Sequence, residues 1–228
     1  MKNVMIYNIV DEKRRHDNDE LFKLFRDQID NSLYYGWHPS DIIIATNFAF
    51  EYKGISSYML TDICTFNIFN NKWYGMLELM KSGVLDDDFW FHDQDNWQIN
   101  KIEFPEFAGE IAACTYVKTP EWNTGSVFVK RTAIDILEYI VDSMKMNPIQ
   151  YYGDEDWISL LRNQSEISRF LSVINTEFCV GYTYLNDRLQ YANKPVKVLG
   201  YMPNSKAYEA FMNQQLIPLH LKEIHENN

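Results

Sequence analysis

The sequence predicts an α/β protein built on an open, mostly parallel, twisted sheet flanked by helices. Three observations predict it. Val4-Met5-Ile6-Tyr7-Asn8-Ile9-Val10 is a near-continuous apolar run, suited to a central strand covered on both faces. Leu21, Leu24, Phe25, Ile29 and Leu33 then recur at helical spacing. Asp41-Ile42-Ile43-Ile44-Ala45-Thr46 follows as a second buried strand, so the chain opens as a strand–helix–strand crossover. The alternation continues toward residue 96, and no repeat, low-complexity tract or linker divides the chain.

In chain order, the first strand is expected from residue 3 to 10. After the charged stretch from Asp11 to Asp19, Asp17 and Glu20 make a capping-box-like start to an amphipathic helix over 18–35, which Gly36 and Pro39 stop. Residues 47–70 read as loop, a short strand at Cys64-Thr65-Phe66, and loop again. Asn70 or Asn71 caps the next helix, where Met76, Leu77 and Met80 bury one face and Gly83 ends it. Phe89-Trp90-Phe91 is an aromatic run of the kind that fills a buried strand. Strands are expected over 111–116 and 126–129, with a turn-rich loop between them from Thr119 to Gly125. A helix over 132–146 places Ile134, Leu137, Ile140, Val141 and Met144 on one face. Gly153-Asp154-Glu155-Asp156 opens another helix, with Asp154 as its N-cap. Late strands are expected over 173–175 and 196–199, and the polar tail from Lys222 is expected to fray.

Bulk properties narrow the partners. A formal net charge of −11 with no basic block argues against nucleic acid or an anionic membrane. A phosphorylated ligand then needs a cation to screen the repulsion. Cys64, Cys114 and Cys179 are dispersed, without CxxC spacing, and read as buried free thiols of a reducing compartment. No apolar run approaches the roughly 18 residues of a membrane span, and the chain begins on a strand rather than a basic leader. A soluble, cytoplasmic protein is expected.

The chemistry concentrates after the aromatic strand, at Asp93-Gln94-Asp95. Ligands of open α/β sheets bind at the carboxyl ends of strands. Two hard carboxylates two residues apart suit one oxygen-loving cation, Mg2+ or Mn2+. An acidic turn is the plain alternative. A calcium loop needs Gly at its sixth position, where Gln98 stands. A haloacid-dehalogenase-like phosphatase places its pair after the first strand, with Thr or Val where Trp97 lies.

Asp93-Gln94-Asp95, the segment Asn123-Thr124-Gly125-Ser126 about thirty residues on, and the acidic turn Asp154-Glu155-Asp156 together resemble the GT-A fold of nucleotide-sugar glycosyltransferases. The likeness covers roughly residues 3 to 161. The short chain is also similar to compact viral and bacterial transferases that decorate surface glycans. The resemblance implies a Rossmann-like nucleotide-binding half over 1–96 and an acceptor-side half over 97–228. It implies a Mn2+- or Mg2+-dependent transfer from a nucleotide-diphosphate sugar, a UDP-sugar first, to a hydroxyl of a glycan or glycoconjugate. Asp95 is then the firmest metal ligand, with Asp93 on ribose or metal. Tyr7, Asn8, Thr46 and Lys72 are placed near nucleotide or phosphate, and Asn123, Thr124 and Gly125 near sugar or phosphate. Asp156 or Glu155 is the base of an inverting enzyme, or holds hydroxyls in a retaining one. His220 is a candidate third metal ligand, although Tyr201-Met202-Pro203 stands where the family's late histidine is sought. A sugar nucleotidyltransferase and a non-catalytic nucleotide-sugar-binding protein are the rivals; the first wants a Gly-rich basic loop after the first strand, and Asp11 to Asp19 has no glycine.

Overall fold

The structure, a computed structural model, describes residues 1–9, 18–116, 121–148, 153–181, 189, 191–203 and 205–227. Asp17, expected to cap the first helix, lies outside them. The first half holds β1 (Lys2–Tyr7), α1 (Asn18–Tyr34), β2 (Ile42–Thr46), β3 (Glu51–Tyr52), β4 (Ile55–Ser56), β5 (Tyr58–Met59), α2 (Asn71–Lys81) and β6 (Phe89–His92). The second holds β7 (Asn96–Gln98), β8 (Ile111–Thr115), β9 (Trp122–Val129), α3 (Ile134–Met146), α4 (Asp154–Arg162), α5 (Ser165–Ser168), β10 (Leu171–Val173), β11 (Val198–Gly200), α6 (Lys206–Asn213) and α7 (Leu219–Asn227).

A seven-stranded sheet runs β10-β8-β9-β6-β1-β2-β5, with every strand parallel except β9. The continuous apolar runs follow from burial on both faces. Val4, Ile6, Phe89, Phe91, Ile111, Ala113, Val127 and Val129 join one core with α2, α3 and α4. Their neighbours point the other way: Met5 packs with Phe25 and Ile29 of α1, and Trp90 with Phe128, Cys114 and Ala112. Within α2, Gly75 is needed for close approach, since a Cβ there would sit 2.7 Å from Ile6 Cγ2. All three cysteines are free and buried. Among the described residues no helix is long and apolar enough to cross a membrane.

Several expectations change. Cys64-Thr65-Phe66 is not a strand, because the Asn71 side chain takes both the amide (2.7 Å) and the carbonyl (3.3 Å) of Cys64. The edge strand is Tyr58–Met59 instead. The tail does not fray. Residues 219–227 are helical, and His225 is buried between Asp27 Oδ2 (3.3 Å) and the Tyr201 hydroxyl (3.2 Å). Its apolar face joins a separate cluster with Trp97, Tyr201 and Phe211. A two-stranded antiparallel ladder, β7 with β11, ties this cluster to the segment that follows Asp95.

Candidate active site

Parallel strands bring their carboxyl ends to one edge, where β9, running the other way, contributes its beginning. Asp93 leaves β6 there, its amide donating to the Gly125 carbonyl (2.9 Å). Asn123-Thr124-Gly125 is not a loop. It lies inside β9, where the ladder to β8 jumps from Ala113↔Val127 to Cys114↔Asn123. Opposite the Ala113–Cys114 step, Thr124, Gly125 and Ser126 are excess residues on β9, a large bulge of the kind that re-aims side chains.

The bulge, the aspartates and the start of α4 enclose a cavity of about 320 Å³, lined by Lys72, Asp93, Asp95, Thr124 and Asp156 among others. Lys72 is the buried cation at its base. Its Nζ lies 3.0 Å from Asp93 Oδ2 and 3.3 Å from Asp154 Oδ2, and donates to Thr124. Burial alone would lower its pKa, but the carboxylates of Asp154 and Asp93 hold it above the ordinary lysine value. Burial raises Asp93 to about 6 against the pull of Lys72, with Asp95 and Asp154 adding repulsion. Burial also raises Asp95. Both acids therefore gain from any further positive charge at the cavity.

The three acids of α4 divide. Gly153, not Asp154, is the N-cap residue. The buried Asp154 carboxylate accepts from Trp73 Nε1 (3.3 Å) and the Thr124 hydroxyl while facing Lys72. Both Glu155 oxygens accept from the Tyr116 hydroxyl (2.6 Å), and Oε1 also accepts from the Thr124 amide (3.2 Å). Burial raises the Glu155 pKa. Asp156 is exposed on the cavity wall.

Other expected residues scatter. Tyr7 and Thr46 are cross-strand partners at the same edge but do not line the cavity. Tyr7 packs edge-on to Phe25, and the Thr46 hydroxyl donates to the Phe48 carbonyl. Asn8 is buried next to them, and its amide has no partner among the described residues. His220 is not at the aspartates: its ring stacks on Tyr34 (centroids 3.5 Å apart) and its Nε2 donates to Asn31 Oδ1 (3.0 Å) on α1. His92 lies within the core against Trp90, and burial lowers it to about 4.

Asn96, Tyr116, Gly181 and Gly200 also line the cavity and carried no signal of their own in the sequence. Gly181 and Gly200 arrive from segments over 80 residues beyond the aspartates, so no local spacing marks them. As to a divalent cation, the donor set fits: two carboxylates raised by burial face one polar cavity, and the lone lysine there binds only Asp93 of the pair. Among the described residues no third His, Cys, Asp or Glu completes a cluster.

His220 yields a prediction of its own. Burial, with His225 adding repulsion, lowers its pKa from 6.5 to about 4. Between those values the unfolded chain holds the proton and the folded one does not, so this contribution is present above pH 6.5 and lost on acidification. The unfolding midpoint of His220→Phe, which retains a ring against Tyr34, is expected to drop less between pH 7 and pH 4.5 than that of the wild type. Equal drops would refute it, because the titrating groups other than His220 and its neighbour His225 are common to both proteins.

No protein-family model and no curated protein sequence matches the chain. Solved structures do. A glycosyltransferase involved in the glycosylation of the major capsid of PBCV-1 is similar at TM-score 0.59 and 9% identity, over 95% of this chain and 100% of its own. The glycosyltransferase GlyE of Streptococcus pneumoniae TIGR4 is similar at TM-score 0.61 and 10% identity, over 99% of this chain, which spans 63% of the GlyE chain. An active-site mutant of LgtC is similar at TM-score 0.56 and 12% identity, over 98% of this chain and 100% of LgtC. The protein has the mixed α/β fold of the GT-A glycosyltransferases.

Proposed function

We propose, from this fold and from Asp93 and Asp95 facing Asp156 across one cavity, that the protein is a glycosyltransferase. It moves a sugar from a nucleotide-diphosphate donor, UDP-linked in the first instance, to a hydroxyl of a glycan or glycoconjugate. The carboxylate pair at the carboxyl edge is the observation that carries the reading. An unassisted diphosphate would be repelled by so acidic a site. A divalent cation held by Asp93 and Asp95 supplies Lewis-acid stabilisation of the leaving diphosphate when bound.

The chain's own groups do the rest. Lys72 fixes Asp93 and is itself fixed by Asp154, so the floor of the site is preorganised before ligand arrives. The bulged Asn123-Thr124-Gly125 lines the cavity where the sugar would lie, its backbone held by Lys72, Asp93 and Glu155. The Asn8 amide, on the same edge and without a partner among the described residues, is suited to the nucleoside. Glu155 is held by the Tyr116 hydroxyl and the Thr124 amide, whereas Asp156 is exposed on the cavity wall and is the carboxylate to take the proton of an acceptor hydroxyl.

The test is donor hydrolysis with Mn2+ supplied, comparing wild type with Asp95→Ala. The variant is expected to turn over at least about a hundredfold more slowly, the usual scale for removing one electrostatic contact to a transition state. Equal turnover would sink the metal role. Saturable UDP binding without any turnover of a panel of UDP-sugars would sink catalysis itself.

A further inference from the structure

Asn96 follows the aspartate pair and is almost fully buried, yet it lines the cavity. Its side-chain Nδ2 donates to Asp95 Oδ1 (3.1 Å), and its Oδ1 accepts from the Cys179 thiol (3.3 Å). The two bonds agree in polarity: a thiol donates to the amide oxygen, and a carboxylate only accepts from the amide nitrogen. The amide therefore has one orientation. Its backbone is held as firmly, with the Asn96 amide donating to the Asp93 carbonyl (3.0 Å) and Gln28 Nε2 donating to the Asn96 carbonyl (3.1 Å).

Two glycines make the slot. A Cβ at Gly125 would lie 2.6 Å from Asn96 Nδ2, and one at Gly200 would lie 3.0 Å from Asn96 Oδ1. One glycine belongs to the bulge of β9 and the other to β11, so the amide is clasped between the seven-stranded sheet and the two-stranded ladder. A side chain this confined transmits its own position to whatever it bonds, and at the cavity it bonds Asp95.

We propose that Asn96 is a positioning residue for the cation: by donating to Oδ1 it fixes the orientation of the Asp95 carboxylate that would hold the ion. The inference rests on the glycosyltransferase reading only through the metal at Asp93 and Asp95. Outer partners of ligating carboxylates commonly carry tenfold or more of metal affinity.

The experiment titrates Mn2+ into the intact protein and follows the free-ion signal by electron paramagnetic resonance, with and without UDP. Asn96→Ala is expected to bind Mn2+ about tenfold more weakly while metal-free UDP affinity stays near wild type. Cys179→Ala removes the amide's other partner without touching Asp95, and is expected to bind Mn2+ within about twofold of wild type, well below that tenfold scale. Unchanged Mn2+ affinity in Asn96→Ala overturns the proposal. So does an equal loss in both variants, which would mark a packing effect. Should alanine not fold, Asn96→Ser is read by the same criteria. Failure of the wild type itself to bind Mn2+, with or without UDP, would instead overturn the metal-dependent function, and is told apart because no variant is involved.

Discussion

Lys72→Met is expected to lower the free energy of unfolding by about 3–5 kcal/mol, the range for removing one partner of a buried ion pair. The lysine is nearly inaccessible and stands between two carboxylates, Asp93 and Asp154. Methionine fills a similar space, so the loss would come from charge rather than from a cavity. Left behind would be two acids whose repulsion Lys72 now offsets, and Thr124 would lose a donor to its hydroxyl and carbonyl. A double-mutant cycle sharpens the result. Asp154→Asn alone should also destabilise, but the double variant should lose clearly less than the sum, because each single change strands the other charge. Denaturant midpoints of the four proteins decide it, and simple additivity would remove Lys72 from its assigned place.

Asp156→Asn is expected to do the reverse: turnover falls by about 10²–10⁴-fold, the usual contribution of a general base, while stability stays within about 0.5 kcal/mol of wild type, as at ordinary surface positions. The contrast with Asp154, two residues away, comes from geometry. Asp154 is buried under Trp73, Thr124 and Lys72, whereas Asp156 is exposed on the cavity wall. Single-turnover transfer and chemical unfolding, measured side by side, separate the two roles. Wild-type turnover in Asp156→Asn would exclude it as the base and move attention to Glu155 and its Tyr116 partner.

The paired cores show why the sheet was legible from sequence. Val4, Ile6, Phe89 and Phe91 face one core while Met5 and Trp90 face away, so β1 and β6 had to be apolar throughout, and continuous runs are easy to find. Cys64-Thr65-Phe66 looked equally strand-like, but the Asn71 side chain took its hydrogen bonds, a tertiary event that propensity does not register. The site was legible in its acids. Asp93, Asp95, Glu155, Asp156 and the bulge segment 123–125 do meet at one cavity, as does Lys72. What the spacing of Asn123-Thr124-Gly125 hid was a bulge inside a strand, which carries the same residues as a turn. Histidine was misleading for a plain reason: His220 sits in a helix that packs on α1, where Tyr34 and Asn31 satisfy it.

The tie between β7 and β11 bears on how the protein comes to be made. The Tyr201 amide donates to the Asp95 carbonyl (2.7 Å), and Trp97 Nε1 donates to the Tyr201 carbonyl (2.8 Å), across more than a hundred residues of chain. The seven-stranded sheet needs nothing beyond Val173. A ribosome can thus release enough chain to pair every strand while Phe178 and Val198 have yet to cover Trp90 and Phe128 and Asp95 still lacks its anchor, and closing so long a loop is entropically slow. Competence would be acquired last, when the C-terminal segment docks, and a nascent chain stalled short of residue 198 would hold paired strands with one face uncovered and an unfinished site.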